Sequence, residues 1–227
     1  MNYAEVLAIY FSRKKEYEFN DRMMQNGYEE VELEVNNYVN DICSIPLENM
    51  VEYIETNGVD YIITSKDVYQ FSNFSNATEG VCSVLFENKN KGLTYKELGE
   101  ALQNDGKSRS DYAKTKYGEN HFKVAEDFGL GFYLKAHNCY LSSLGYAYLK
   151  LDAEQKHRLM TRIILRSKLI IRLYRESKKG RVPLELLLYD LAESTYRRRK
   201  SNVRTVIKEL QKTKEYDFVY FADSIIY

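Results

Sequence analysis

The chain of 227 residues has no tryptophan, only two prolines, three cysteines and three histidines. Few prolines means few forced interruptions of helices. Cys43, Cys82 and Cys139 are odd in number and far apart. That argues against a disulfide framework and for reduced, buried thiols in a cytoplasmic protein. His121, His137 and His157 show no metal-ligand spacing with them, so no metal or other cofactor is expected. No apolar run approaches the length of a membrane span, so no membrane partner is expected. The apolar stretch near the start has no basic segment before it and no small-residue cleavage site after it, which is not the pattern of a signal peptide. Walker, GxSxG, HExxH and GxGxxG motifs are all missing, and so are repeats, low-complexity tracts and flexible linkers.

What is present is charge, unevenly distributed. The total is zero, but residues 1–60 hold 4 basic and 13 acidic side chains. Residues 61–149 hold 10 of each, and residues 150–214 hold 19 basic against 7 acidic, a local net of +12. A neutral whole argues against a polyanionic partner. A +12 block does not, because an approaching phosphate backbone feels the local field. Charge asymmetry is also common in proteins that bind no polyanion.

Periodicity gives the elements. Residues 3–25 carry Tyr3, Val6, Leu7, Tyr10 and Phe11 at helical spacing. Residues 28–35 alternate Val31, Leu33 and Val35 with glutamates, which suits a half-exposed strand and leaves a helix open. Pro46 and Gly58 punctuate a helix between them. Residues 59–73 suit two short strands around Ser65, Lys66 and Asp67. From Ala77 a short helix with Val81, Val84 and Leu85 inward is followed by "GLTYKELGEALQ". There Thr94 and Glu97 form a capping box and Leu98, Ala101 and Leu102 face inward. A third helix has Tyr117, Phe122, Val124, Ala125 and Phe128 near its core side. "FYLKAHNCYLSSLG" then gives two short strands around a polar turn. Three helices followed by a two-stranded wing is the winged-helix order. The order recurs after Leu151. A long periodic helix with Met160, Ile163, Ile164, Leu169, Ile170 and Leu173 is ringed by Arg162, Arg166, Lys168, Arg172 and Arg175. A short helix from Pro183, a basic helix, and a closing hairpin around Ala222 and Asp223 complete it.

The basic helix, "AESTYRRRKSNVRTVIKEL", carries the strongest signal. Ser194 suits the N-cap. Tyr196, Val203, Val206, Ile207 and Leu210 share the face that packs on the domain. Arg197, Arg198, Lys200, Ser201 and Arg204 point largely away. With Thr195 and Arg199, these residues are candidates for contacts to guanine edges and phosphates. The alternative is an ordinary solvated basic helix. Ser108, Arg109, Ser110, Tyr112, Lys114 and Lys116 mark a less basic second candidate, whose alternative is packing within the domain. Phosphate contacts from the 150–181 and 108–116 regions would set register. A metal-dependent nuclease would need an Asp and a Glu-x-Lys, offered by Asp60 with Glu87 and Lys89. Glu87 ends a segment that reads as a helix, which weakens that match.

The runs "GLTYKELGEAL", "FYLKAHNCYLSSLGYAYLKL" and "LLYDLAESTYRRRKSNVRTVIKEL" together resemble the paired winged-helix modules of some restriction-modification and related prokaryotic defence or mobile-element proteins. In those modules a first winged helix, with an LT-L-G end to its wing, precedes a helix-turn-helix that begins Thr-x-x-Arg-Arg. The likeness covers roughly residues 77–212. It implies double-stranded DNA binding through Thr195, Arg197, Arg198 and neighbours, and does not itself imply cleavage.

The expectation is a mainly α protein with small β hairpins, a tandem winged helix-turn-helix. Residues 1–76 form an acidic segment for assembly or partner binding, 77–150 a first winged helix and 151–227 a second. The protein is expected to bind double-stranded DNA as a homodimer, as the recognition part or regulator of a restriction-modification or defence system. A magnesium-dependent endonuclease at Asp60, Glu87 and Lys89, and an adaptor whose acidic arm and basic block bind each other, are the alternatives.

Overall fold

The structure, a computed structural model, describes residues 3–59, 61–89, 91–103, 105–134, 138–187 and 192–227. It is mainly helical with a few short strands. The helices run α1 (Tyr3–Ser12), α2 (Lys14–Asn26), α3 (Glu32–Ser44), α4 (Leu47–Asn57), α5 (Val81–Glu87), α6 (Tyr95–Leu102) and α7 (Asp111–Asp127). Strands β1 (Gly131–Leu134) and β2 (Asn138–Leu141) follow, then α8 (Ser143–Lys150), α9 (Ala153–Leu165) and α10 (Lys168–Ser177). The chain closes with β3 (Val182–Pro183), α11 (Leu184–Leu187), α12 (Glu193–Leu210), α13 (Val219–Ser224) and β4 (Ile225–Ile226).

Two compact units are each assembled from separated stretches. One contains Met1–Arg13, Asn40–Tyr69 and Ala153–Tyr227, the other Lys14–Val39 and Gln70–Asp152. The acidic 1–76 segment therefore contributes to both.

In the first unit, α4 packs on α9 and α10, and α12 packs on α9. Leu47, Met50, Ile54, Ile163, Ile164, Ile170, Leu173, Val206 and Leu210 are all sealed from solvent. Part of the acidic segment thus lies on the basic segment of its own chain, with Glu55 paired to Lys178 at 2.8 Å. Pro46 and Gly58 bound α4 as their chemistry suggests.

In the second unit, α6 crosses α7 at backbone contact. A Cβ on Gly99 would lie 1.9 Å from the Lys114 carbonyl oxygen, and one on Gly118 would lie 1.9 Å from that of Tyr95. Only glycine allows this approach. Thr94 and Glu97 form the full capping box at the start of α6. β1 and β2 pair antiparallel, and Leu93, just before α6, bridges to Cys139 of β2.

Several elements differ from the periodicity reading. The first helix breaks at Arg13, whose left-handed φ of 57° ends α1 and restarts the chain as α2. Residues 28–35 form a 3-10 turn (Tyr28–Glu30) and the start of α3, not a strand. Val31 and Val35, one helical turn apart, are fully buried while Leu33 is 74% exposed, so the i, i+4 spacing decides. No strand forms among the described residues of 59–73. Asp67 instead accepts from the Thr64 backbone N–H and hydroxyl and closes a turn. Ala101 is exposed, and Gly99 takes the inward position on α6. The long basic helix is two, interrupted where the Ser167 hydroxyl meets that of Tyr69. The closing hairpin is absent. Residues 219–224 are helical, and β4 pairs parallel with β3.

Candidate nucleic-acid interface

α12 divides into two faces. Val203, Val206, Ile207 and Leu210 are 0–1% exposed and fix the helix to its unit. Each contributes on the order of 1.5–3 kcal/mol of transfer free energy. Arg197, Ser201, Arg204 and Lys208 recur at helical spacing along one solvent-facing stripe, flanked by Arg198 and Lys200. From Glu193 to Lys208 the helix carries six cations and one acid. Lys208 was missing from the sequence candidates, although it lies four residues beyond Arg204 and continues the same stripe.

The helix begins two residues earlier than an N-cap at Ser194 implies. Ala192 is the N-cap and offers no side-chain hydrogen bond. Ser194 lies inside the first turn, exposed, and its carbonyl accepts from Arg198 Nε at 3.0 Å. Thr195 is half-buried. Arg197 pairs with Glu193 at 2.5 Å. Lys200 lies 5.8 Å from the Tyr196 ring centroid, and Arg204 lies 5.4 Å from that of Tyr227.

Arg199 has a different role from its neighbours. Its guanidinium donates to the carbonyls of Ser65 and Val68, the latter at 3.1 Å. It clamps the 64–68 turn to the helix and so is structural. Its position two residues beyond Arg197 already turned it away from the stripe, because side chains two apart do not share a helix face.

The expected phosphate contacts from the 150–181 region divide in the same way. Arg162 is 1% exposed, with Nε on the Ile42 carbonyl at 3.0 Å and Nη2 on the Ile45 carbonyl and Glu215, both at 2.7 Å. Burial alone would raise the Glu215 carboxyl, but hydrogen bonds from Arg162 and Arg158 bring it below the ordinary carboxylate value. Arg166 is also buried, its guanidinium 4.4 Å from the Tyr10 ring centroid. Arg172 donates to the Tyr61 carbonyl at 2.7 Å. These cations are internal supports, not phosphate ligands.

The second candidate region, at the start of α7, is electrostatically quiet. Ser108 is exposed, and Ser110 caps α7 by accepting from Ala113 N–H. Tyr112 is 74% exposed. Arg109 forms a two-pronged pair with Asp105, both bonds 2.6 Å, which holds that carboxyl well below its usual range. Lys114 pairs with Glu100 and Lys116 with Glu119, each at 2.7 Å. All seven cations from Lys91 to Lys123 lie within 4.0 Å of a carboxylate. With Glu126 and Asp127 counted, residues 91–127 hold seven acids against seven cations, so little positive field remains here.

The nuclease candidates gain no support. Asp60 lies outside the described residues, as do 188–191 before α12. Glu87 is the last residue of α5, and Lys89 Nζ sits 5.4 Å from the Phe86 ring centroid. Among the described residues no three His, Cys, Asp or Glu side chains converge to hold a metal ion. Nor is any described helix long and apolar enough to cross a membrane. The chain matches no family model, no curated protein and no solved structure.

Proposed function

We propose that the chain binds double-stranded DNA, with the outer face of α12 as the element that meets it. One observation carries this reading: Arg197, Arg204 and Lys208 share an exposed stripe whose opposite face is fully buried, in a helix with six cations and one acid from Glu193 to Lys208. A helix of this kind fits the major groove, with long donors for phosphates and base edges on one side and an anchor on the other. The uncapped N-terminus at Ala192 adds a partial positive charge.

The second unit fits the other part of the reading. The order α5, α6, α7, β1, β2, with an isolated bridge from Leu93 to Cys139 of β2, supports a winged-helix reading. Its neutralised α7 suits a supporting role better than groove insertion. A homodimer would place two α12 helices on symmetric half-sites, and the likeness to restriction-modification and defence modules suggests a recognition component.

The test is fluorescence anisotropy of a labelled duplex over a salt series. Replacing Arg198, Arg204 and Lys208 with Ala, with Arg199 kept, should weaken binding without loss of helicity. Unchanged binding would refute the assignment to α12.

A further inference from the structure

A cavity of about 270 Å³ opens beside the first turns of α12. Tyr196 and Tyr227 form aromatic walls, Arg197 and Lys200 supply cations, and Glu185 and Glu193 supply carboxylates. Glu193 is engaged by Arg197. Glu185 has no ion-pair partner among the described residues, and burial first and the Glu185 charge second push the Tyr196 phenol up. The Tyr227 hydroxyl is buried and has no hydrogen-bond partner among the described residues.

Aromatic faces bind bases by stacking, and adjacent cations bind the phosphate. A carboxylate accepts from ring N–H and exocyclic amino donors, which guanine offers together on one edge and uracil does not. The volume lies just below the usual range of ligand pockets, which starts at about 300 Å³, and so limits the ligand to no more than one nucleotide unit.

We propose that this cavity binds a single unpaired guanine nucleotide, its base against Tyr196 and Tyr227, its donor edge on Glu185 and its phosphate at Arg197 and Lys200. The source is either free nucleotide or the unpaired end of a strand. The strand-end form rests on the DNA reading of α12, and the free form does not.

Saturation-transfer NMR on the full chain with GMP and with UMP tests it, alongside anisotropy of a blunt duplex and of the same duplex with one unpaired guanine. GMP should bind about tenfold more tightly than UMP, the scale of one good bidentate contact. Glu185→Gln, at an exposed position, should erase that preference. Tyr227→Leu should remove the GMP signal with the unfolding midpoint retained. A tighter overhang duplex identifies a strand end, and GMP binding with equal duplexes identifies free nucleotide. Equal GMP and UMP signals, or a GMP preference that survives Glu185→Gln, would overturn the proposal. Blunt-duplex binding without GMP binding rejects this site and leaves α12. GMP binding without duplex binding does the reverse.

Discussion

Arg199 donates from Nη1 to the Val68 carbonyl at 3.1 Å, so one arginine of the basic run holds a turn to the body of its unit. Arg199→Ala should therefore cost about 1.5–3 kcal/mol of stability, the range for hydrogen bonds from a charged donor. Arg198→Ala should stay within about 0.5 kcal/mol of wild type. Urea unfolding of the two variants checks the contrast, and equal midpoints would refute the clamp.

The crossing of α6 and α7 makes a second contrast. Gly99→Ala puts a methyl against the Lys114 backbone and should cost about 3 kcal/mol or more. Gly80 has helical φ and ψ and only ordinary contacts for an added Cβ, so Gly80→Ala should be neutral or stabilise by about 0.5–1 kcal/mol. Hydrogen exchange should show loss of protection in α6 and α7 for the first variant only.

These contrasts also mark what the sequence could and could not convey. Local chemistry was legible: the Thr94–Glu97 capping box, the Pro46 and Gly58 boundaries and the β1–β2 hairpin all form as their residues suggest. The buried stripe of α12 was legible too, since Val203, Val206, Ile207 and Leu210 keep helical spacing. The destinations of the cations were not. Arg162 and Arg166 look like their exposed neighbours in sequence, and only tertiary carbonyls, a ring and a carboxylate make them internal. The strand expected at 28–35 failed because period-2 and i, i+4 spacing coincide at Val31 and Val35. The closing hairpin failed because β4 pairs with distant β3 instead of a neighbouring strand.

Arg162 is the strongest case of an internal cation. Removing its guanidinium takes the Nη2 donor from the Ile45 carbonyl, one donor from the Ile42 carbonyl and one of two arginine partners from Glu215, which keeps Arg158. Arg162→Met should cost about 1.5–3 kcal/mol, the range for hydrogen bonds from a charged donor, because Glu215 keeps Arg158. Thermal unfolding measures this, and a loss below about 1 kcal/mol would contradict the assignment.

His121 gives a pH dependence. Its Nδ1 lies 2.8 Å from the Tyr117 carbonyl, and its Nε2 accepts from the Ser72 backbone N–H at 3.2 Å, which requires the neutral ring. Burial pushes its pKa below the ordinary histidine value, partly offset by the hydrogen bond to Tyr117. The unfolded chain therefore takes up a proton before the folded one. Its contribution to stability should be complete above the ordinary value of about 6.5 and decline as pH falls from there to the lower folded value. His121→Gln should flatten that part of the curve, and NMR titration of the His121 ring should place its midpoint below that of a free histidine.

The central claim is that the α12 stripe, not the neutralised start of α7, neutralises phosphates. The most direct measurement is the slope of log K against log salt for duplex binding. It should be compared between wild type, a variant with Arg198, Arg204 and Lys208 replaced by Ala, and a variant with Lys114 and Lys116 so replaced. The α12 variant should lose about three units of slope, near one per phosphate contact, while the α7 variant should keep the wild-type slope. A slope unchanged in the α12 variant, or lost in the α7 variant instead, would contradict the account.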